Sequence, residues 1–182
     1  MDRRIEKTRK LIMDTFMELL KEKGFEKLTI RDISERANIN RGTVYLHYTD
    51  KYDIFEQCIE NYINELLVHC QNNPPLKLKK EALLDVFTYL ENNLGLYTLL
   101  LKNDKSGIFH NKFHSVLSQQ VDVAINMLPD ELATSKEVTT QFLANGFLGV
   151  LEWWLSNELP YTPQEITTQL LSFLKPYTGY LS

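Results

Sequence analysis

The chain has 182 residues, 43% of them hydrophobic and 24% charged, and carries a net charge of −4. That balance suits a soluble globular protein with one sizeable core, or with one small domain and a larger one. No apolar run approaches the roughly 20 residues needed to cross a bilayer, and the basic start MDRRIEKTRKLIMD lacks the apolar stretch of a signal peptide, so a cytoplasmic protein without a membrane partner is expected.

The first helix reads Arg3 to Lys23, with Ile5, Ile12, Phe16, Leu19 and Leu20 on one face. Gly24 is expected to end it, because glycine alone takes a positive φ cheaply, with Phe25 as the hydrophobic contact beyond. Thr29, with Asp32 three places on, has the spacing of a capping box for a short second helix that turns Ile33 and Ala37 inward. Asn38 suits a left-handed turn, Ile39 a core plug, and Asn40 the cap of a short third helix pointing Val44 and Tyr48 to the core. Asp50, with Asp53 behind it, caps a fourth helix from Lys51 to about Cys70.

Beyond the break Asn72-Asn73-Pro74-Pro75 the pattern stays helical, near residues 79–94, 96–102, 108–128, 135–158 and 163–175. The separators are Gly95, residues 103–107, Pro129-Asp130 and Pro160 to Pro163. The expected fold is all-α: residues 1–50 as a three-helix helix-turn-helix domain, and residues 51–182 as a helical bundle for ligand binding and dimerisation. The two cysteines, Cys58 and Cys70, fit no metal spacing, and on one straight helix would stand about 18 Å apart, too far to bridge.

Residues 29–51, TIRDISERANINRGTVYLHYTDK, hold two short helices joined by a tight turn. With Val44 buried, Gly42 and Leu46 point most directly outward, flanked by Thr43 and Tyr45, while Arg41 reaches forward from the first turn. Arg41 can donate a bidentate pair to guanine, and Gly42 lets the backbone approach a groove. Tyr45 and Thr43 offer hydroxyls, Leu46 an apolar contact for a thymine methyl, and Lys51, with the first amides of the fourth helix, a grip on phosphate. Many small helical domains share this shape without touching DNA, so the shape alone leaves both readings open. Residues 1–56 hold twelve Lys/Arg against eleven Asp/Glu, and the remainder eight against thirteen. Any DNA contact must therefore come from a local patch at the N-terminal end.

TIRDISERANINRGTVYLHYTDKYDIF, with Phe16, Gly24 and Phe25 before it, resembles the DNA-binding signature of the TetR/AcrR family of repressors. The likeness covers roughly residues 5–56 and rests on Thr29, Ala37, Gly42, Thr43, Tyr45 and Lys51. Asn38 stands where glycine is common, and Tyr48 where phenylalanine is common, so the Tyr48 hydroxyl needs a partner. The resemblance implies a homodimer on a double-stranded DNA operator. It implies that Arg31 and Arg41 reach bases, that Thr29, Thr43, Tyr45, His47 and Lys51 hold phosphates or nearby edges, and that a small-molecule effector releases the DNA.

The stretch from Val138 to Leu155 carries two apolar stripes, one of Phe142, Gly146, Gly149 and Trp153, the other of Leu143, Phe147, Val150 and Trp154. Two stripes imply either a fully buried helix or a second surface covered by a partner. The expected arrangement is a symmetric dimer using Phe142, Gly146, Gly149 and Trp153 with Ile166, Leu170 and Phe173. FLANGFLGVLEWWLSNELPYTPQEI also resembles the C-terminal region of a subgroup of that family. Tyr62, Phe87, Tyr89, Tyr97, Phe113 and Phe147 are candidates to line an effector pocket, although aromatic residues at helical spacing serve equally as plain core. His110 and His114 lie four apart and could share a metal, yet no Glu or Cys sits at a supporting sequence position nearby, although His69 could approach from another helix; they read as partly exposed histidines, and no metal or cofactor is expected. The larger domain could instead dock a partner protein, which would make an activator or corepressor. An enzyme has no support: there is no glycine-rich phosphate loop and no nucleophile elbow.

Overall fold

The structure, a computed structural model, describes residues 3–69, 80–105, 107–126 and 135–178. Cys70 and the breaks expected at residues 72–75 and 129–130 lie outside them. The described residues form α1 (Arg3–Lys27), α2 (Ile30–Arg36), α3 (Arg41–Tyr45), α4 (Lys51–His69), α5 (Lys80–Asn92), α6 (Leu94–Asn103), α7 (Ile108–Asn126), α8 (Lys136–Ser156) and α9 (Pro163–Thr178). The fold is all-α, as the periodicity implied. It divides into two compact units, residues 1–61 and 62–182.

In the first unit the buried face of α1 begins at Ile12 and runs through Phe16, Leu19 and Leu20. Ile5 is 41% exposed, because α1 extends about two turns beyond its own core. Helical geometry does break at Gly24, with φ 73° and ψ 163°, a combination that is essentially glycine-only. One further helical turn follows, to Lys27. The break turns Phe25 inward, where it meets Phe16 at 6.3 Å and Phe55 at 5.1 Å between ring centroids. Val44 and Tyr48 close this core from α3 and the turn after it, and Ile54, Phe55, Cys58 and Ile59 from α4. Burial pushes the Cys58 thiol up to about 12, which makes it an inert packing residue. The Tyr48 hydroxyl donates to the Arg9 carbonyl at 3.5 Å, and the Arg9 guanidinium lies over its ring.

In the second unit α7 lies along α8 and α5 along α9. Leu143, Ala144, Leu148, Leu151, Trp154 and Leu155 of α8 are buried. Trp154 meets Phe87 edge-on at 5.0 Å and donates its indole N–H to the Tyr161 carbonyl at 2.8 Å. Gly95 does not separate two helices; the break falls at Asn93, and Gly95 lies inside α6. Asp104 opens α7, its two oxygens accepting from the amides of Ile108 and Phe109 at 2.8 and 2.6 Å. Thr162 and Glu165 form a reciprocal cap on α9.

Candidate nucleic-acid interface

The interface begins with caps. The Thr29 hydroxyl accepts from the Asp32 amide and donates to the Asp32 carboxylate at 2.7 Å, and the Thr29 amide donates to the same carboxylate at 2.8 Å. Lys23 reaches that carboxylate at 2.8 Å from α1. Lys23, together with Thr29, holds the Asp32 carboxyl down at about 2, so the cap stays ionised at any physiological pH. Arg36 forks onto Glu22 with two contacts of 2.8 Å, a second tie between α1 and α2. The turn then passes through Asn38 at φ 52°. The Ile39 amide donates to the Ser34 carbonyl at 3.0 Å, and Asn40 accepts from the Gly42 amide at 2.8 Å. A side chain at Gly42 would put a Cβ only 3.3 Å from that capping oxygen, a local reason for glycine beside the open approach to the backbone.

These ties present one face of α3. Leu46 is 82% exposed and Tyr45 57%; Arg41 and Gly42 are exposed, while Thr43 and His47 are half-buried. Leucine at such exposure gains nothing from its own fold. Among the described residues no acidic group pairs with Arg41. Arg31, on α2, is exposed but holds Glu35 at 2.6 Å, so it would have to leave that carboxylate to reach a base. The i, i+4 spacing of Arg31 and Glu35 was the sequence signal for this competition.

Two expected phosphate contacts are otherwise engaged. The Lys51 ammonium donates to the carbonyls of Phe25, Glu26 and Leu28 at 2.9, 3.3 and 3.2 Å, and lies 4.6 Å from the centre of the Phe25 ring. Its three protons tie the start of α4 to the end of α1. The amides of Tyr52 and Asp53 donate to Asp50 at 2.8 and 2.9 Å, so the first turn of α4 is capped from within. Thr29 likewise spends its hydroxyl proton on Asp32. Lys51→Met keeps the stem over Phe25 and removes the three donors. It should lower the stability of the first unit by about 1–3 kcal/mol in urea denaturation. The salt slope of DNA binding should stay unchanged, whereas losing a phosphate contact would reduce it by about 0.9.

The other expected sites divide. Phe142 (71% exposed), Trp153 (45%) and Phe173 (73%) stand outward, with Gly146 and Gly149 between them on the open face of α8. Ile166 and Leu170 do not join that face: at 3% and 8% exposed they lie in the core of their own unit, where α9 packs along α5. Most of the aromatic candidates for a pocket pack against other rings. Phe87, Tyr97 and Phe113 are buried, Tyr97 meets Tyr89 and Phe109 edge-on, and Phe87 lies 5.9 Å from Phe147. The Tyr97 hydroxyl donates to the Tyr62 carbonyl at 3.0 Å. His110 does have an acidic partner, Glu152 of α8 at 3.0 Å; forty-two residues of separation hid it from the sequence. Among the described residues no group of three His, Cys, Asp or Glu could hold a metal, and no helix is long and apolar enough to cross a membrane.

Comparison with known proteins places this geometry. Residues 12–58 match the family model described as bacterial regulatory proteins, tetR family. Residues 79–176 match a model described as transcriptional regulator C-terminal region. The negative regulator IcaR of the biofilm operon icaADBC in Staphylococcus aureus is 27% identical over 151 residues, 79% of this chain and 80% of that protein. The uncharacterized HTH-type regulator YxbF of Bacillus subtilis is 22% identical over 168 residues. That match takes in 87% of this chain and 42% of YxbF, so the chain spans less than half of that relative's length. Among solved structures, a TetR transcriptional regulator from Streptococcus agalactiae superposes with a TM-score of 0.76 at 26% identity, over 95% of this chain and 96% of that one. NalD, the secondary repressor of the MexAB-OprM multidrug efflux pump in Pseudomonas aeruginosa, shares the fold with a TM-score of 0.68 at 21% identity, over 94% of this chain and 96% of its own.

Proposed function

We propose, from the premise that this chain belongs to the TetR family of transcriptional regulators, that it acts in the cytoplasm as a homodimeric repressor of a palindromic operator, released by a small-molecule effector. It is a regulator and not an enzyme. In this reading residues 1–50 read DNA, and residues 51–182 sense the effector and pair the subunits.

The observation that carries the reading is the face of α3. Arg41, Gly42 and Tyr45 stand exposed on a five-residue helix, with Leu46 exposed as its C-cap and Asn40 capping its start. An apolar residue and a cation left open to water suit a duplex, where Arg41 meets a guanine edge and Leu46 a thymine methyl. Thr43, Tyr45 and His47 flank them toward the phosphates. Pairing supports the same reading. Phe142, Trp153 and Phe173 are large apolar residues open to solvent, and burying them recovers about 25 cal/mol for each Å² covered. Twofold symmetry would then set two α3 helices about 34–36 Å apart, the spacing of successive major grooves. IcaR, a negative regulator by name, supports repression.

Arg41→Ala tests the readout. Specific binding in a gel shift should weaken by about 1–3 kcal/mol, with one operator position relaxed, while random duplex binding loses far less. Equal loss on both duplexes would remove Arg41 from base recognition.

A further inference from the structure

A cleft of about 320 Å³ opens between α6, α7 and α8, away from the packed aromatic rings. That volume is at the small end of the range that holds metabolites. Three helices supply its polar groups. Thr98 and Lys102 lie four apart on α6, Glu152 and Ser156 four apart on α8, and His110 stands on α7, so each pair shares one helix face.

The chemistry of the lining is unfinished. The Thr98 hydroxyl is buried without a hydrogen-bond partner, a state that costs free energy until a partner arrives. Lys102 is exposed, and among the described residues no acidic group pairs with it. Asp104, on the same rim, turns its two oxygens to the amides of α7. Across the cleft, one oxygen of Glu152 takes His110 at 3.0 Å. His110 is thereby drawn to α8, and the second Glu152 oxygen remains to accept from a ligand.

We propose that this cleft binds a small carboxylate carrying a hydroxyl or amino group. The carboxylate meets the Lys102 ammonium; the Thr98 hydroxyl, shut off from water in the free protein, reaches it by turning about its Cα–Cβ bond; and the ligand's own donor meets Glu152, with Ser156 beside it. Each end excludes a simpler ligand. Glu152 repels a carboxylate that brings no donor, and Lys102 repels an amine that brings no acid. The binding stands apart from the operator reading; that it alters DNA affinity rests on the function proposed above.

Isothermal titration of the full chain with D-gluconate, L-malate and L-glutamine tests the cleft. Hexanoate, which lacks donors, and sorbitol, which lacks the acid, serve as matched controls. At least one of the three probes should bind saturably and neither control should. Lys102→Ala should weaken that binding tenfold or more. Thr98→Val should also weaken it while raising the melting temperature of the free protein, since it deletes an unsatisfied hydroxyl at constant shape. A merely structural threonine would give the higher melting temperature with binding intact. No saturable binding by any probe, binding that survives both substitutions, or equal binding of the controls would overturn the assignment. A bound probe that leaves a gel shift unchanged would keep the cleft and remove its regulatory role.

Discussion

Gly146→Glu is expected to give a particle of 21.3 kDa, the mass of one chain, in sedimentation, and to weaken operator binding by on the order of 10²- to 10⁴-fold. The fall follows from losing the second, tethered recognition helix, whose effective concentration multiplies the affinity of the first. The substitution suits the purpose because a Cβ at Gly146 meets nothing within 4 Å in its own chain. Glutamate also favours a helix interior by most of the ~1 kcal/mol that glycine costs there. The folded monomer should therefore keep its far-ultraviolet dichroism and melt no lower. A carboxylate facing its twin beside Phe142 and Trp153 would be buried next to a like charge, which a symmetric interface cannot tolerate. An unchanged mass would move the pairing surface elsewhere; a monomer that still binds the operator at full strength would separate pairing from recognition.

Phe16→Ala is expected to destabilise the first unit by about 3–5 kcal/mol. Phe16 has no exposed surface and lies between Phe25 at 6.3 Å and Phe55 at 6.0 Å, so its removal leaves a cavity between two rings held by the break at Gly24 and by α4. The Phe25 side of that cluster carries the carbonyls that Lys51 ties down. Loosening it should release the braces that fix α3, and DNA binding should fall with the fraction unfolded. Urea denaturation followed by dichroism measures the loss. A shift below about 1 kcal/mol would show that the ring cluster does not hold this unit together. The second unit should retain its helix content, since its core of Phe87, Tyr97, Leu148 and Trp154 is built from other residues.

What could be read from the sequence is what depends on neighbours in the chain. Thr29 with Asp32, Asn40 with Gly42, and Asp50 with Tyr52 and Asp53 act within three residues, and the structure makes all of these contacts. Asn38 sits at the positive φ that its side chain tolerates. The double stripe of α8 was legible for the same reason, because helical periodicity places Phe142 and Trp153 on one face and Leu143 and Trp154 on another. Periodicity does not say which surface a stripe will meet. On α9 the stripe of Ile166 and Leu170 faces its own core, while Phe173 faces out. Long side chains were harder still. Lys51 ends on carbonyls 23 to 26 residues away, and His110 finds Glu152 across two helices. Neither destination leaves a mark in local spacing. The aromatic residues could be counted but not placed, since six rings serve a packed core or a pocket with equal ease; here Phe87 packs on Phe147, Tyr89 on Tyr97, and Phe113 on Phe109.

Operator recognition requires α3 to meet DNA, and a photo-crosslink from Leu46 tests that contact directly. A benzophenone amino acid at Leu46, the most exposed large apolar residue of the first unit, would be irradiated in the presence of duplexes enriched from a random pool by the unaltered protein. The same group at Phe142 serves as the comparison. Covalent protein–DNA adducts from position 46, and none from position 142, are the expected result. A complex that forms on the enriched duplex but yields no adduct from position 46, or a pool from which no duplex is enriched, would contradict it.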